Sequence, residues 1–434
     1  MPSPLNVGMI GFGNIGAGVL RAVETNGKIV TARVPHPIRV VRIADLDTTT
    51  PRNAPYDPAI LSTDTDALLA DPDVNVVLEL TGTIDAARGF IERALRARKH
   101  VVTANKALLA LHGTDLIQLA IQNKVCLLFE AAVGGGIPLI RTLHQGMAAN
   151  DITAVRGIIN GTSNYILTQM SEEGLDFASA LKQAQKLGYA EPDPKFDVEG
   201  IDTAHKLAIL ATLCFDQDIR FADVYVEGIA RVRASDIDYA HELGYAVKLL
   251  GIAKRTEDGR VEARVHPTLI PLDSRLATIG GVYNGIRVDG NLTGAIIFSG
   301  RGAGPEPTAS AILSDLMALA SGKAEGGLQR EMRLAMPQQP KRIRPMAELE
   351  TGYYIRIGLA DVAGALGRVF AILGTHGINV ASMYQPPEHV ADHAHVIVIS
   401  HTTSEARVQS ALKEIRALDC SRGRPFVLRI EETG

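Results

Sequence analysis

The sequence predicts an α/β protein with three folded parts: a doubly wound parallel-sheet domain, an α+β domain with a mixed sheet, and a C-terminal βαββαβ unit of ferredoxin-like topology. Three observations support this prediction. The 434 residues are enough for about three domains with their own cores. In the first third, apolar strand-like runs alternate with segments of helical periodicity, which is typical of a parallel sheet. In the last fifth, the patterning gives the order strand, helix, strand, strand, helix, strand.

The composition is that of an ordinary globular protein. Hydrophobic residues make up 46% of the chain and charged residues 21%, with a net charge of −4, so nothing indicates a nucleic-acid or membrane partner. The three cysteines, Cys126, Cys214 and Cys420, are far apart and fit reduced thiols better than a metal cluster. There is no basic leader and no apolar run of the ~18 residues that a membrane span needs. We therefore expect a cytoplasmic protein.

A glycine-rich turn follows the first apolar strand, residues 5–10, and opens a helix that we expect to end at Asn26-Gly27. The order strand, G-x-G-x-x-G, helix is the context that dinucleotide binding requires. The first glycine permits the tight turn, the second lets the backbone approach a pyrophosphate, and the third packs helix on strand. The turn therefore predicts a Rossmann-type site for NAD or NADP, rather than a purely structural turn. The residues assigned to the cofactor are Gly11, Gly13, Asn14, Ile15 and Gly16.

The second strand, residues 38–44, ends at Asp45. An acid in this place usually binds the ribose hydroxyls of NAD, whereas Arg42 or Arg52 would instead meet the phosphate of NADP. Asp45 lies further from the glycines than the usual ~20 residues, so it is also interpretable as a turn residue. The sequence leaves the cofactor preference open.

Lys106 stands where another strand of this sheet ends. A strand at residues 75–80, a helix at 85–98 and a strand at 100–103 precede it. Ligands of doubly wound sheets bind beyond the carboxyl ends of the strands, so Lys106 is a candidate ligand-binding residue. Taken alone, it would more often be a surface lysine.

The loop from Glu130 to Pro138, which follows a strand at residues 125–129, contains three consecutive glycines. Glycines let backbone carbonyls turn inward, which can coordinate a hard cation beside a carboxylate. From the residues alone, a glycine-rich linker between domains is the favoured interpretation.

The stretch from residue 184 to residue 206 is a candidate substrate site, although its spacing alone favours a solvated loop. Its first helix breaks at Gly188, a loop stiffened by prolines supplies Glu191 and Asp197, and a second helix begins near Ile201. In that helix Asp202 and Lys206 are four residues apart and share one face. An acidic loop beside a lysine suits a small polar substrate, although spacing alone is also that of a solvated loop with an ordinary ion pair.

The same stretch reads A-x3-G-Y-A-E-P-D-P-x2-D-V-E-G-I-D-x3-K and closely resembles the homoserine dehydrogenase signature. The segments V-V-T-A-N-K, ending at Lys106, and G-I-I-N-G-T-S-N-Y-I-L also resemble that family. In the second, which follows a strand at residues 152–159, we expect Thr162 or Ser163 to cap a helix. The resemblance implies reversible reduction of L-aspartate 4-semialdehyde to L-homoserine by NAD(P)H.

The resemblance also implies site roles. Lys206 would donate the proton, Lys106 would stabilise the oxyanion and lie between nicotinamide and substrate, and Asp202 and Glu191 would hold the substrate amino group or position Lys206, while Asp197 supports the loop. It implies a monovalent cation, sodium or potassium, at Glu130, Val133, Gly135 and Ile137. Of the segment 300–310 only Gly302 is carried over to the cofactor site, because Arg301 and Glu306 depart from the commoner family pattern.

Residues 331–350 combine prolines with basic side chains and are interpreted as a linker. The βαββαβ unit beyond it contains Y-Y-I-R-I-x-L-x-D and G-x-L-G-R-V-F-A-I-L-G-T-H-G-I-N-V, which resemble an ACT domain. The family analogy suggests threonine as inhibitor. Asp361-Val-Ala-Gly364 departs from the more usual D-K-P-G, so a dimerisation module without a ligand is the alternative.

We therefore expect a nucleotide-binding domain at 1–135, completed by about 302–330, a substrate and dimerisation domain at 136–301, the linker, and an ACT domain at 351–434. The sheet of the substrate domain would be shared in a homodimer or homotetramer. Two other functions compete with this interpretation: a different ACT-bearing NAD(P)-dependent amino-acid dehydrogenase, and a non-catalytic amino-acid sensor.

Overall fold

A six-stranded parallel sheet forms the N-terminal part of the chain in this computed structural model, which describes residues 3–322, 326–334, 336–385, 389–390 and 393–432. Its strands are β1 (Leu5–Ile10), β2 (Ile38–Ala44), β3 (Leu61–Ser62), β4 (Val76–Glu79), β5 (His100–Thr103) and β6 (Leu127–Leu128). They lie in the spatial order β3-β2-β1-β4-β5-β6, and every pairing is parallel. The helices that connect them are α1 (Asn14–Arg33), α2 (Thr65–Ala70), α3 (Asp85–Arg96) and α4 (Lys106–Gln122). The predicted doubly wound parallel sheet is confirmed.

The end predicted for α1 is wrong. The helix does not stop at Asn26-Gly27 but continues to Arg33, and Val34 is extended. Gly27 lies inside the helix, with no atom within 4 Å of the position that a Cβ would take. A glycine within a helix costs only about 0.5–1 kcal/mol, which a long helix tolerates.

The rest of the chain builds one mixed sheet of twelve strands. The main path through this sheet runs β12-β11-β7-β9-β10-β18-β13-β16-β14. The strands are β7 (Ile152–Ile158), β8 (Tyr225–Val226), β9 (Tyr245–Arg255), β10 (Val261–Pro271), β11 (Tyr283–Gly290), β12 (Gly294–Arg301), β13 (Glu350–Ala360), β14 (Val380–Tyr384), β15 (His389–Val390), β16 (His393–Ser400), β17 (Thr403–Ser404) and β18 (Phe426–Ile430). The predicted mixed sheet and βαββαβ unit are therefore confirmed.

Nine further helices follow the N-terminal sheet in the described residues. They are α5 (Gly161–Glu172), α6 (Phe177–Lys186), α7 (Lys195–Val198), α8 (Ile201–Phe215), α9 (Ala234–Glu242), α10 (Pro305–Ala320), α11 (Gly327–Leu334), α12 (Ala365–Thr375) and α13 (Glu405–Arg416). Short helical turns occur at Pro58–Ile60, Glu130–Ala132, Thr142–Gly146, Phe221–Asp223 and Met346–Glu348. In the described part of the chain, no helix is long and apolar enough to cross a membrane.

The C-terminal unit joins the middle of the chain through its own sheet, which the sequence did not reveal. Strand β18 pairs in parallel with β10 through two residue pairs, Thr268 with Arg429 and Leu269 with Ile430. Side chains reinforce the joint. Arg429 is fully buried, and its Nη2 donates to Glu405 Oε1 at 2.6 Å, while its Nη1 pairs with Glu227. A buried guanidinium needs such partners, because an unpaired charge inside a protein is costly.

Helix α10 brings the chain back to the N-terminal sheet. A Cβ on Gly18 of α1 would lie 3.0 Å from Pro305, and Arg21 forms an ion pair with Glu306 at 3.1 Å. Just before this helix, a Cβ on Gly135 would lie 2.5 Å from the backbone of Gly302. The segment at 302–306 therefore contacts both α1 and the glycine-rich loop.

The predicted linker is partly helical. Helix α11 extends to Leu334, and the chain beyond residue 336 runs along the edge of β10, where the Val261 amide donates to the Arg342 carbonyl at 2.8 Å. Residues 323–325 and 335, which belong to the predicted domain-completing and linker segments, lie outside the described part. The domain boundaries stay predictions.

We predict that Gly228→Ala destabilises the protein. A Cβ there would lie 2.3 Å from the Val198 carbonyl oxygen and 2.6 Å from the Glu199 Cα, both of which are backbone atoms that cannot rotate away. The free energy of unfolding should fall by about 1–3 kcal/mol.

Gly89→Ala in α3 is the matched control, because nothing lies within 4 Å of its Cβ position. It should be neutral or stabilise by up to ~1 kcal/mol. Thermal unfolding of both variants would measure this, and equal melting temperatures would contradict it.

Candidate active site

Lys206 and Asp202 form the centre of the candidate site on the first two turns of α8. Lys206 Nζ donates to Asp202 Oδ2 at 2.7 Å and to the Ile159 carbonyl at 2.6 Å. Lys206 is 7% exposed and Asp202 3%. The spacing of four residues thus does place both groups on one helix face. Unlike an ordinary surface pair, however, this one is buried.

Lys106 reaches the same carboxylate from the N-terminal sheet. Its Nζ lies 2.9 Å from Asp202 Oδ1, and it stands 5.7 Å from the centroid of the Phe196 ring. Its side chain is about one-third exposed, at 34%. The two lysines, a hundred residues apart in sequence, therefore contact the two oxygens of one carboxylate.

The position of Lys106 depends on a buried hydrogen-bond chain after β5. Asn105 caps α4 by accepting from the Leu108 amide at 3.1 Å, and its own amide donates to Thr103 Oγ1 at 3.0 Å. Thr103 Oγ1 in turn donates to Glu79 Oε2 at 2.7 Å. Lys106 is the first residue of the helix, so these bonds fix where its side chain begins.

Asn160 joins the two acidic residues of the site and was not singled out from the sequence. Its Nδ2 donates to Asp197 Oδ1 at 2.7 Å and to Asp202 Oδ2 at 2.8 Å, while its Oδ1 accepts from the Ser163 amide at 2.7 Å. Asn160 is therefore the cap of α5, and the prediction of Thr162 or Ser163 as cap was wrong. Asparagine is a favoured cap, so its place directly after a strand was the available signal.

The acidic loop has one helix that the sequence did not predict. After Gly188, which takes a left-handed φ of +76°, the loop forms the single turn α7, and this turn carries Asp197. Glu191 is exposed, and its charge attracts the Lys106 ammonium. The loop thus places Asp197 near both lysines and Glu191 near Lys106.

The charges shift the pKa values of both lysines in opposite directions. Burial lowers the pKa of Lys206, and the attraction of Asp202 offsets only part of that effect. Burial also acts to lower the pKa of Lys106, but attraction to Asp202, Asp197 and Glu191 outweighs it and the net shift is upward. Asp202 has a lowered pKa because the two ammonium groups overcome its burial, whereas burial and the nearby Asp202 raise the pKa of Asp197. The site therefore pairs one lysine whose pKa is lowered with one whose pKa is raised.

The glycine turn between β1 and α1 fits a dinucleotide. Gly11 has a φ of +96°, and a Cβ there would lie 2.7 Å from Leu80, next to Glu79 and Thr81. Gly13 has no atom within 4 Å of its Cβ position, so the backbone is open to a ligand at the start of a 20-residue helix. Asn14, Ile15 and Gly16 form the first turn of that helix. Gly11 packs on the end of β4, and Glu79 at the end of β4 accepts from Thr103, which binds the backbone next to Lys106. The end of β4 therefore positions both the glycine turn and Lys106.

Asp45 faces this turn. Its Oδ2 accepts from the Phe12 amide and its Oδ1 from the Asp47 amide at 2.8 Å. Arg52 lies close by, with Nη2 3.9 Å from Asp45 Oδ1 and 3.2 Å from Asp47 Oδ2. Arg42 instead pairs with Asp71. Of the two arginines considered for a phosphate, Arg52 is therefore the one beside the turn.

The acid of the glycine-rich loop, Glu130, binds the backbone that follows the loop. Both of its carboxylate oxygens accept backbone amides, from Ile140 and Arg141, each at 2.9 Å. These hydrogen bonds fix the loop to the start of the next helical turn. The cation expected at Glu130, Val133, Gly135 and Ile137 stays a prediction.

Three family models match almost all of the chain. The model described as "Homoserine dehydrogenase, NAD binding domain" covers residues 11–130, "Homoserine dehydrogenase" covers 138–317, and "ACT domain" covers 353–420. The homoserine dehydrogenase of Neisseria gonorrhoeae is 40% identical over 431 residues, 99% of each chain. The chain belongs to the homoserine dehydrogenase family.

Relatives agree along the full length. The homoserine dehydrogenase of Pseudomonas aeruginosa is 40% identical over 99% of each chain. The crystal structure of a homoserine dehydrogenase from Thiobacillus denitrificans matches with a TM-score of 0.91 and 39% identity, covering 99% of each chain. That of S. aureus homoserine dehydrogenase at pH 7.5 has a TM-score of 0.77 and 31% identity, over 99% of this chain and 100% of that one. The protein is thus an NAD(P)-dependent oxidoreductase with an ACT domain, as the sequence resemblance implied.

We predict that Lys206→Ala lowers kcat by about 10²–10⁴-fold, as expected for loss of a proton donor, while affinity for the reduced cofactor is unchanged. Steady-state kinetics and a fluorescence titration with NADPH or NADH would measure the two effects. Lys195→Ala is the matched control, since Lys195 is an exposed lysine of the neighbouring turn α7. Near-normal turnover in Lys206→Ala would remove Lys206 from the mechanism.

The pH profile of aldehyde reduction should report the lowered pKa of Lys206. A proton donor is lost as the pH rises through its pKa, so the rate should decline at a lower pH than that at which an unperturbed lysine titrates. Asp202→Asn removes the carboxylate that supports the ammonium form, so it should move the decline to still lower pH. A decline that stays in place in Asp202→Asn would contradict this assignment.

Proposed function

We propose that this chain catalyses the reversible, NAD(P)H-dependent reduction of L-aspartate 4-semialdehyde to L-homoserine, a step toward threonine, methionine and isoleucine. The observation that carries the proposal is the convergence of Lys106 and Lys206 on the Asp202 carboxylate, at 2.9 and 2.7 Å. Family membership over the full length supports the same reaction.

The residues divide the chemistry as follows. The glycine turn, Asp45, Lys106 and Gly302 would hold the reduced cofactor, which would supply a hydride to the aldehyde carbon. Negative charge then develops on the aldehyde oxygen, and Lys206 donates a proton to it. Lys106, with its raised pKa, remains an ammonium and stabilises that charge while orienting the substrate. Glu191 and Asp202 attract the substrate's ammonium group, and Asp197 supports the acidic loop through Asn160.

A monovalent cation, sodium or potassium, is proposed at the loop of Glu130, Val133, Gly135 and Ile137. Its support is the loop's backbone: Gly134 and Gly135 take φ values of +77° and +56°, which only glycine adopts readily and which turn successive peptide groups. Such a cation would tie the loop to the segment of Gly302, against which Gly135 packs.

The chain is proposed to form a homodimer or homotetramer, a state in which edge strand β12 would have a partner. An unpaired edge strand is a ready template for a second copy. The cytoplasmic location expected from the sequence stays a prediction.

One assay tests the function. Aspartate semialdehyde is supplied with NADPH or NADH, and the loss of absorbance of the reduced cofactor is followed. We expect oxidation of at least one cofactor with this aldehyde and not with other 2-amino-acid carbonyl substrates. If only a different amino-acid substrate is turned over, the protein is the other ACT-bearing dehydrogenase. If no substrate leads to oxidation of NADPH or NADH, the result favours the non-catalytic sensor.

The same assay with millimolar L-threonine tests regulation. We propose that the ACT domain mediates inhibition by threonine, so the rate should fall with threonine and not with L-valine as control. The segment Asp361-Val-Ala-Gly364 opens α12 with Gly364 at a φ of +84°. Activity that is unchanged by threonine would instead support a dimerisation module without a ligand.

A further inference from the structure

The loop that follows β2 brings two carboxylates and one guanidinium to the glycine turn. The carboxylates belong to Asp45 and Asp47, and the guanidinium to Arg52. In Rossmann-type domains an acid at this place binds the ribose hydroxyls of NAD, whereas an arginine nearby accommodates the 2′-phosphate of NADP. The contacts of these three side chains therefore bear on which of the two coenzymes the site accepts.

Asp45 is fixed against the glycine turn. Its Oδ2 accepts from the Phe12 amide and its Oδ1 from the Asp47 amide at 2.8 Å, and 18% of its side chain stays exposed. A carboxylate has about four lone-pair sites, so these two bonds leave room for a further donor. Asp45 can therefore still accept a hydrogen bond from a ribose hydroxyl.

Asp47 adds a second negative charge that faces solvent. Its side chain is 43% exposed, and its Oδ1 accepts from the amides of Thr49 and Thr50 at 3.0 and 2.9 Å. Hydrogen bonds from Thr50 and Thr49 hold the pKa of the Asp47 carboxyl well below its usual range. Asp47 is therefore an anion throughout the physiological pH range.

Arg52 is held by both acids. Its Nη2 lies 3.2 Å from Asp47 Oδ2 and 3.9 Å from Asp45 Oδ1, and it also donates to the Asp47 carbonyl at 3.2 Å. Its guanidinium carbon lies 5.8 Å from the centroid of the buried Phe12 ring, and its side chain is only 15% exposed. To bind a phosphate, Arg52 would have to give up these contacts.

Two other arginines of this region also have acidic partners. Arg42 of β2 pairs with Asp71. Arg21 of α1 donates to the Asn53 carbonyl at 2.6 Å and forms its ion pair with Glu306 at 3.1 Å. Neither arginine therefore offsets the negative charge of the loop after β2.

The charges of this loop favour a hydroxyl over a phosphate. Two carboxylates and one guanidinium leave one net negative charge on Asp45, Asp47 and Arg52 together. A phosphate monoester carries about two negative charges at neutral pH, so it would be repelled here. A ribose hydroxyl is uncharged and can donate to a carboxylate. The loop therefore discriminates mainly by repulsion.

We propose that this loop makes the protein select NAD(H) over NADP(H). Asp45 binds the ribose hydroxyls, Asp47 repels a 2′-phosphate, and Arg52 holds the two carboxylates in place instead of binding that phosphate. The inference rests on the proposed function, because it concerns the coenzyme of the same reaction.

Fluorescence titration of the full-length protein with NADH and with NADPH tests the inference without turnover. The Kd for NADH should be at least about tenfold lower than the Kd for NADPH. This ratio should shrink when NaCl is raised from about 0.05 to 0.5 M, because salt screens the repulsion of a charged group. NADPH that binds as tightly as NADH, or a ratio that salt does not reduce, would overturn the inference.

Asp47→Asn removes one charge while keeping an oxygen that can accept from Thr49 and Thr50. It should strengthen NADPH binding by at least about threefold and leave NADH binding unchanged. Asp66→Asn is the matched control, because it removes the same charge from α2, where Asp66 is 79% exposed and pairs with Arg93. The ratio should stay at its original value in this control.

An unchanged ratio in Asp47→Asn would overturn the role given to Asp47. The salt dependence of the unaltered protein remains a test if this variant fails to fold. Failure of the inference is distinguishable from failure of the proposed function. If NADPH binds more tightly than NADH, only the inference fails, whereas if neither coenzyme binds, both fail.

Discussion

The Asp202 carboxylate forms ion pairs with both Lys106 and Lys206, and the candidate site depends on these two contacts. Two lysine side chains brought together would repel each other and lose their protons without an anion between them. Asp202 lies on the first turn of α8, so its own charge also interacts favourably with the helix dipole. His205 adds no third positive charge, because burial lowers its pKa to about 4 and keeps it neutral at physiological pH. The result is a cluster in which two lysines share one buried carboxylate.

The ACT domain is joined to this cluster by continuous contacts. Arg429 of β18 pairs with Glu227. The residues after Glu227 lie directly on α7: the Ile229 amide donates to the Val198 carbonyl at 2.8 Å, and Gly228 leaves no room for a side chain against that backbone. Asp197, next to Val198, accepts from Asn160, which also binds Asp202. A shift of β18 relative to β10 would thus reach the acidic loop through the Arg429–Glu227 ion pair and the backbone contacts of Gly228 and Ile229.

Most of the secondary structure was predictable, because it follows from local patterns. Strands β2 and β5 have the bounds that alternating apolar runs gave, and α8 begins at Ile201 as the polar loop before it suggested. The errors came where two local signals competed: Asn26-Gly27 is usually a helix end, but α1 continues through it, and Asn160 capped α5 in place of the hydroxyl residues beside it.

The site was predictable in its members more than in its connections. The pair Asp202 and Lys206 follows from helix geometry. The ion pair between Lys106 on α4 and Asp202 on α8 joins distant parts of the chain, so no local sequence pattern predicts it. Two further contacts also depend on tertiary structure. The Glu130 carboxylate accepts the amides of Ile140 and Arg141, and β18 of the ACT domain pairs with β10. Pattern and spacing report which residues share an element, and only packing decides which elements meet.

The packing of α10 on α1 has a consequence for folding during synthesis. On the ribosome, the strands of the first sheet emerge long before α10, because the whole substrate segment is synthesised in between. At about 5–20 residues per second, this delay is on the order of ten seconds or more. Throughout it, the surface of α1 around Gly18 that later receives Pro305 stays uncovered. The nascent coenzyme-binding region is therefore a natural client for chaperones, and a fragment cut after β6 would keep that surface permanently open.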